Sequence, residues 1–469
     1  MTTTHGIPRP AACVLMTALM ILATALSSAA QFTSLVTFTG TNGDGPFQEN
    51  LVQGKNGNLY GTTTYGGTFG DGTIFEVTTG GTLTTLYNFS NTPDGANPYA
   101  GLVLGTDGNF YGTTFEGGAT DQGTVFKVTA AGVVTILHSF SGTDGELPYG
   151  ALVQGTDGNF YGTTEAGGPT SPGYGTVFKI TKAGALTTLH SFDDTTDGYY
   201  PYTGLVQGTN GAFYGTTTGG PGANFGTVFE ITSTGTYTLL HTFINSDGWE
   251  PEGQLIQATD GNFYGTTVRG GADALGEVFK ISASGTFTLL HSFTTVADGY
   301  EPTAGLVQAS DGNFYGTTLG GADGEGNIFE ITKLGVVTQL HSFSGDDGGS
   351  DGASPFGGLV QHTSGVLFGT TTGGGGAGGE GTVFSQNQAL KAFVKTIPTS
   401  GKVGTSVTIL GTNIGSATKV TFGGGATATV TTNTSTYITT KVPTGAKTGK
   451  VEVFSPGCTC STLVNFTVP

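Results

Sequence analysis

The sequence predicts an all-β protein, organised as a seven-bladed β-propeller followed by a small immunoglobulin-like β-sandwich. Three observations lead to this prediction. Glycine supplies 85 of the 469 residues and only 10% are charged, which is typical of many tight turns rather than of long helices or disorder. A unit of roughly fifty residues recurs seven times, a period found in propellers and other repeat proteins. The composition then changes between Gln386 and Lys391, which indicates a second domain.

The first thirty residues have the layout of a cleavable secretory signal. Arg9 precedes an apolar run over residues 11–26, and the small residues at 28–30 stand just before Gln31. A transmembrane anchor is the alternative, but the apolar run is short and does not end in basic residues. We therefore expect residues 1–30 to be removed. The mature protein should be secreted or lie on a bacterial cell surface, without membrane insertion after cleavage.

Residues 31–388 contain the repeat. The block LVQGTDGNFYGTT, which begins at Leu152, recurs with variations at Leu51, Leu102, Leu205, Leu255, Leu306 and Leu359. Each unit holds four short segments of strand character between glycine-rich turns. Asp-Gly-Asn or a close variant separates the first two, which indicates a hairpin because such a turn needs positive φ. The third segment resembles GTVFKI and the fourth resembles Leu186–Phe192, so each unit should form a four-stranded antiparallel sheet.

The count of strands predicts how the repeats close. Each sheet would be apolar on both faces and would need cover from its neighbours, which radial stacking provides. An open solenoid is the alternative. The seventh unit ends after Phe384 without a fourth strand, whereas a spare copy of that strand stands at residues 32–38. We expect strand 32–38 to complete the last blade, because closure removes the exposed edge of an open array.

The sequence patterns resemble those of two known families. Over residues 32–385, the FYGTT, GTVFKIT and TLHSF segments resemble the GloVer tandem repeat of exported bacterial proteins. That resemblance implies the repeat architecture and export, and no defined activity. Residues 389–469 resemble the IPT/TIG immunoglobulin-like domain in the segments at 397–404, 407–414, 420–424 and 442–453. This second resemblance implies a β-sandwich that serves in binding, in dimerisation or as a spacer.

Charge and cysteine content restrict the partners. The net charge is −18, but residues 391–469 carry +6 and the repeat region carries −25. Such an acidic surface repels nucleic acid and anionic lipid, so we expect neither as a partner. Cys458 and Cys460 lie two residues apart, and an exported protein can form disulfides. They are either incidental thiols or a local bridge, because C-x-C offers too few ligands for zinc.

Two polar residue types recur in register within the repeats. The fourth segment carries His138, His190, His241, His291 and His341. Equivalent positions on successive outer strands cannot converge on one metal ion, so we interpret these histidines as packing residues. The first segment carries Gln53, Gln154, Gln207, Gln257, Gln308 and Gln361, with Leu104 as the exception. Glutamines there either line a channel or join adjacent blades by hydrogen bonds, and the need of buried amides for partners favours the second interpretation.

The sequence contains no catalytic motif of the G-x-S-x-G, H-E-x-x-H or P-loop type. We therefore assign no catalytic residue, no metal site and no cofactor. The leading hypothesis is an extracellular recognition or adhesion module that binds a glycan or a surface protein. A polysaccharide-active hydrolase or lyase is an alternative, because two acids on different blades leave no local signature. A purely structural envelope component is a third.

The variable loops predict which face would bind a ligand. The loop between the second and third segments reads GGPTSPGYGT after Ala166 but GGADALGE after Arg269. It should emerge on the same face as the links between blades, which carry aromatic residues beside Asp-Gly turns. Rings stack on the CH faces of sugars and carboxylates accept their hydroxyls, although the same rings could simply pack on neighbouring blades. The candidate ligand-binding residues are Tyr99, Tyr149, Tyr199, Tyr200, Tyr202, Trp249, Tyr300, Asp144, Asp197, Asp247 and Asp298.

Overall fold

A computed structural model describes residues 31–47, 50–169, 173–221, 225–296, 298–321, 323–345, 350–376, 378–456 and 458–469. The expected signal at residues 1–30 lies outside them. The all-β class is confirmed: within these ranges the only helix is a 3₁₀ turn at Gly423–Gly425. No helix in the described ranges is long and apolar enough to cross a membrane.

Seven four-stranded antiparallel sheets correspond to the seven sequence repeats. The strands are β1 (Gln31–Thr37), β2 (Val52–Gln53), β3 (Leu59–Thr63), β4 (Thr73–Val77), β5 (Leu83–Asn88), β6 (Val103–Leu104), β7 (Phe110–Thr114), β8 (Thr124–Val128), β9 (Val134–Ser139), β10 (Val153–Gln154), β11 (Phe160–Thr164), β12 (Thr176–Ile180), β13 (Leu186–Ser191), β14 (Val206–Gln207), β15 (Phe213–Thr217), β16 (Thr227–Ile231), β17 (Tyr237–Thr242), β18 (Ile256–Gln257), β19 (Phe263–Thr267), β20 (Glu277–Ile281), β21 (Phe287–Ser292), β22 (Val307–Gln308), β23 (Phe314–Thr318), β24 (Asn327–Ile331), β25 (Val337–Ser342), β26 (Val360–Gln361), β27 (Leu367–Thr371) and β28 (Thr382–Asn387). Sheets S1 to S6 take β2–β25 in successive fours, and S7 combines β26–β28 with β1.

The second strand of each sheet is buried along its whole length. In β11 the reason for a glycine within the strand is visible. A Cβ at Gly162 would overlap the ring of Phe178 on β12, so the absence of a side chain lets the two strands share one apolar layer. Tyr161 on the same strand donates its hydroxyl to Asp157 in the preceding turn, at 2.8 Å. The FYGTT pattern thus encodes a buried strand in which the tyrosine hydroxyl has a hydrogen-bond partner.

The N-terminal strand supplies the fourth strand of S7. β1 pairs antiparallel with β28, from Gln31 opposite Asn387 to Thr37 opposite Thr382. Phe32 contributes a ring that contacts Phe343 and Phe384, with ring centroids 5.6 and 5.4 Å away. Residues at the start of the described chain therefore complete a sheet whose other three strands lie at residues 360–387.

Successive sheets are joined by the recurring glutamines. Each accepts a hydrogen bond from a backbone N–H in the turn of the preceding sheet, as in Thr156 N–H to Gln207 Oε1 at 2.9 Å. The same arrangement joins S7 to S1: Gln53 donates to Thr363 Oγ1 at 2.9 Å, and the N–H of Thr363 donates back at 3.1 Å. The interpretation of the glutamines as hydrogen-bonding residues between sheets is confirmed. The first and last repeats are thereby in direct contact.

Residues beyond β28 form two further four-stranded sheets. Their strands are β29 (Lys395–Ile397), β30 (Ser406–Leu410), β31 (Lys419–Phe422), β32 (Ala426–Ala428), β33 (Val430–Asn433), β34 (Tyr437–Lys441), β35 (Glu452–Ser455) and β36 (Cys458–Ser461). One sheet has the order β29-β30-β34-β33 and the other β32-β31-β35-β36. A shared apolar cluster that includes Ile409 and Val453 lies between them. Cys458 and Cys460 are bridged on β36.

The C-terminal sheets pack against S1, S2 and S7. Thr436 donates its hydroxyl to the carbonyl of Lys55 at 2.7 Å, and Lys395 Nζ donates to the carbonyl of Gln361 at 3.0 Å. Leu410 joins the apolar cluster that contains Leu104. The one repeat that lacks the recurring glutamine is therefore the one whose leucine contacts the C-terminal sheets.

Candidate ligand-binding site

One small cavity is lined by residues from all seven repeats. It has a volume of about 40 Å³, which leaves room for about three water molecules. Its wall is built largely from the residue that precedes the first leucine of each repeat. In six repeats this residue lines the cavity, and the second repeat contributes Ala100 instead; the six are Asn50, Ala151, Gly204, Gln254, Gly305 and Gly358. Glycine is needed because neighbouring backbones approach closely: a Cβ at Gly204 would meet the carbonyl oxygen of Ala151. We call this space the shared cavity.

An arc of aromatic rings borders the shared cavity, and three of its rings, Tyr149, Tyr202 and Phe356, line it. Each ring belongs to the residue that follows the proline of a link between repeats. The ring centroids are 4.3 Å apart for Phe356 and Phe47, 5.4 Å for Phe47 and Tyr99, and 4.9 Å for both Tyr99–Tyr149 and Tyr149–Tyr202. Pairs at this spacing stabilise one another in stacked or edge-to-face geometry. Five consecutive links thus present one continuous aromatic arc.

Glu252 and Thr303 occupy the two remaining positions after the link prolines. Burial raises the pKa of Glu252 to about 7, repulsion from Glu250 and Glu301 acts in the same direction, and Arg269 opposes them. A second carboxyl, Glu165, lies beside the arc and accepts a hydrogen bond from the Tyr202 hydroxyl at 3.1 Å. Burial also raises the pKa of Glu165. The mouth therefore combines aromatic rings with two carboxyl groups whose pKa values are raised.

The eleven predicted site residues do not form one cluster. Tyr99, Tyr149 and Tyr202 belong to the aromatic arc. The rings of Tyr199 and Tyr300 instead cover Gly219 and Gly320, where any Cβ would overlap them. Trp249 lies beneath Arg269, whose guanidinium carbon is 5.7 Å from the ring centroid. Tyr200 is 37% exposed and packs edge-on against Tyr199.

Each of the four predicted aspartates faces a histidine of the preceding strand. The Nε2 to Oδ2 distances are 2.8 Å for His138–Asp144, 2.5 Å for His190–Asp197, 3.3 Å for His241–Asp247 and 3.4 Å for His291–Asp298. His341 repeats the arrangement with Asp351 at 3.1 Å. Burial lowers the pKa of His241, His291 and His341 against the opposing effect of their aspartates. These carboxylates hold the links in place, which supports the packing interpretation of the histidines.

In the first repeat, Asn42 takes the place that an aspartate holds in the other Asp-Gly turns. Asp44 precedes a glycine as Asp94 does, but it is Asn42 Oδ1 that accepts the N–H of Thr39, at 2.9 Å, as Asp94 Oδ1 accepts that of Ser90 at 3.3 Å. Asp44 instead pairs with Tyr65, as Ala96 does with Glu116. Asn42 stands four positions before Pro46, as Asp94 stands before Pro98, so the first link has the same length as the others.

Sequence reasoning missed Phe47, Phe356, Glu165 and Glu252. A signal was present for three of them, because each directly follows a link proline, as Tyr99, Tyr149 and Tyr202 do. The prediction selected tyrosines and tryptophan anywhere in the links. It did not compare the residue after the proline across the seven repeats. Glu165 carried no such signal, since its place beside Tyr202 depends on contact between different repeats.

The chain belongs to the Gloeobacter/Verrucomicrobia repeat family, whose model matches residues 23–229 and 209–438. This confirms the repeat family predicted from the sequence, while the IPT/TIG resemblance stays a prediction. No curated protein matches the sequence.

Similar solved structures are distant in sequence. A fungal alcohol oxidase of the AA5 family, solved in complex with copper, is 13% identical with a TM-score of 0.54, covering 94% of this chain and 100% of its own. A protein described as a 6-phosphogluconolactonase candidate from Bacteroides uniformis is 18% identical, with a TM-score of 0.47 and coverage of 66% and 88%. A gluconolactonase from Xanthomonas campestris is 12% identical, with a TM-score of 0.36 and coverage of 61% and 91%. The first likeness concerns the fold alone, and the other two carry no inference about this chain.

Proposed function

We propose that the protein is an exported, seven-bladed β-propeller with a C-terminal immunoglobulin-like sandwich. The contact between Gln53 and Thr363 and the cavity lined by all seven repeats support a closed ring. Two facing four-stranded sheets with one apolar cluster support the sandwich. Export rests on the signal-like residues 1–30. N-terminal sequencing of protein recovered from the culture medium or cell surface should begin at Gln31, and an intact Met1 would refute export by this signal.

The function that the geometry supports best is recognition of an extracellular glycan at the mouth of the shared cavity. The observation that carries this proposal is the continuous arc of five aromatic rings beside Glu165 and Glu252. The cavity itself is too small for a sugar ring, so the glycan would lie across the mouth. There its CH faces would contact the rings and its hydroxyls would donate to the carboxyl groups. The acidic repeat region favours neutral over anionic glycans.

A glycan array with the purified mature protein tests this proposal, followed by titration of any neutral glycan that binds. Tyr149→Ala and Tyr202→Ala should each weaken binding on the order of tenfold, the effect expected for one stacking side chain. Tyr237→Phe is the matched control, because Tyr237 packs between S3 and S4 against His190, away from the mouth. Emission of Trp249, the only tryptophan, provides a second signal. Unchanged affinity in both alanine variants would refute the proposed mouth.

A polysaccharide-active enzyme is the second candidate, favoured by one observation. Glu165 and Glu252 both lie at the mouth with raised pKa values, and a neutral carboxylic acid near pH 7 can act as a general acid on a glycosidic bond. Incubation with polysaccharides should then release reducing ends or unsaturated products, and Glu252→Gln should abolish the release. Tight glycan binding without product would exclude the enzyme and retain the recognition function.

A further inference from the structure

The shared cavity contains two oxygen atoms without partners. Thr303 is 3% exposed, and its Oγ1 has no hydrogen-bond partner among the described residues. Asn50 Oδ1 is likewise buried and unpartnered within those ranges. Both residues line the cavity. Buried polar atoms in a native protein ordinarily have partners, so the two oxygens indicate an occupant.

The donors around the cavity define the chemistry of that occupant. Glu252 contributes a carboxylate, Asn50 an amide oxygen and Thr303 a hydroxyl, and all three line the cavity. Asn50 Oδ1 and the carbonyl of Gly305 both lie next to Gly358, whose missing side chain leaves that wall open. The described residues contain no group of three or more His, Cys, Asp or Glu that could hold a metal. Hard cations prefer oxygen ligands of these mixed types, whereas soft metals prefer sulfur and imidazole.

We propose that the shared cavity is a cation site that takes one Ca²⁺ ion, with Glu252 as its charged ligand and Asn50 and Thr303 as neutral oxygen ligands. A volume of about 40 Å³ accommodates the ion with one or two waters. The repeat region carries a net charge of −25, which raises the local concentration of cations. The three ligands come from repeats 1, 5 and 6. No local sequence motif could therefore reveal the site.

Glu252 is the only carboxyl group among the residues that line the cavity. Its substitution therefore removes the one charged ligand and leaves Asn50 and Thr303 in place. This site does not depend on glycan recognition at the mouth.

Calorimetric titration of metal-free mature protein with CaCl₂ at pH 7, without glycan, tests the proposal. We expect one ion per chain and a rise in the melting temperature. Glu252→Gln should weaken binding on the order of tenfold or more, and Thr303→Val severalfold. Glu116→Gln, which removes an acid outside the cavity lining, should bind as the wild type does.

Three results in solution would overturn the site. These are absence of heat and of thermal shift at millimolar Ca²⁺, equal affinity in wild type, Glu252→Gln and Thr303→Val, or stronger binding of Na⁺ than of Ca²⁺. If Glu252→Gln fails to fold, Thr303→Val carries the comparison, since replacing a hydroxyl by a methyl conserves volume. Water molecules alone in the cavity of a crystal grown with Ca²⁺ would also refute it. Because no glycan is present, failure here leaves the recognition proposal intact.

Discussion

Glu277 is a residue that breaks the local rule of its repeat. At the equivalent place five of the other six sheets carry two facing threonines, such as Thr217 and Thr227, whose hydroxyls are 2.7 Å apart, and S6 has Asn327 opposite Thr318. Glu277 is fully buried. Its Oε1 accepts the hydroxyl of Ser292 at 2.8 Å, and its Oε2 has no partner among the described residues. Burial therefore raises the pKa of this carboxyl to about 7, because the neutral form is less costly to desolvate.

We predict that Glu277→Thr stabilises the protein and does so more at pH 7.5 than at pH 4.5. The pKa of Glu277 is higher in the folded than in the unfolded state, so its contribution to stability falls as the pH rises from about 4.5 to 7. The gain should approach about 3 kcal/mol at pH 7.5 and become small at pH 4.5. Urea denaturation at both pH values measures it. Thr227→Ser, which changes the equivalent position of S4 without involving a titratable group, should show no such pH difference.

At the scale of single residues, the sequence predicted the recurring hydrogen-bonded pairs better than it predicted the residues of the candidate site. The glutamines, the strand-four histidines and the turn aspartates recur in register, so their hydrogen-bonding roles follow from the repeat. The aromatic arc depends on how seven links converge, which spacing within one repeat does not describe. Glu165 shows the limit most plainly: it lies 37 residues from Tyr202 in sequence yet accepts its hydroxyl hydrogen bond.

Among the elements, β1 has the most distant partner in the chain. It forms the outer strand of S7 and pairs with β28 from residue 31 to residue 37. Phe38, which follows it, is 1% exposed and packs with Phe75 of S1 at a centroid distance of 5.3 Å. The strand therefore contacts both the last and the first repeat. Its existence was predictable because the seventh repeat lacks a fourth segment and a spare copy stands at residues 32–38.

We predict that deletion of residues 31–38 prevents formation of a stable monomer. The deletion exposes the edge of β28, and an unpaired strand edge promotes association between chains. It also removes the burial of Phe32 and Phe38, each contributing roughly 1.5–3 kcal/mol. Light scattering and thermal melting measure the outcome, with the protein beginning at Gln31 as control. A monomeric variant with an unchanged melting temperature would contradict the role assigned to β1.

The loops between the second and third strands were the elements least accessible to sequence reasoning. Their variable lengths predicted that they lie on one face with the links, and the bridges Trp249–Arg269 and Tyr300–Gly320 agree with that placement. The residue before each link proline has a left-handed backbone conformation. Glu250, with φ of 56°, donates its N–H to the preceding repeat and accepts an N–H from the next. Backbone hydrogen bonds of this kind join two repeats, so the sequence of a single repeat does not reveal them.

At the scale of the whole molecule, the contact between the repeats and the C-terminal sheets coincides with a change of residue type in the repeat. Elsewhere the first strand of a repeat carries glutamine, and its amide binds the turn of the preceding sheet. At S2 that position is Leu104, which shares an apolar cluster with Leu410 of β30 and with Tyr60 of S1. The sequence marked Leu104 as an exception but offered no reason for it. In the structure Leu104 meets an apolar surface, because Leu410 belongs to the same cluster.

We predict that Leu104→Gln has opposite effects in the complete mature chain and in a fragment ending at residue 388. In the complete chain, the amide would enter the cluster around Leu410 and should destabilise by about 1–3 kcal/mol. In the fragment, the cluster is uncovered, and the introduced amide oxygen can accept the N–H of Lys55 as Gln154 accepts that of Thr106 at 2.9 Å. There the substitution should stabilise by about 1 kcal/mol.

Urea denaturation of both proteins, with and without the substitution, measures the two effects. Gln154→Leu is the matched control and should destabilise both proteins by the same amount, because S3 lies away from the C-terminal contacts that hold S1, S2 and S7. A Leu104→Gln effect of the same sign in both proteins would show that Leu104 is not adapted to the C-terminal sheets. Opposite signs would establish that the repeats and the C-terminal sheets are coupled through this one junction, since the two proteins differ only in the presence of those sheets.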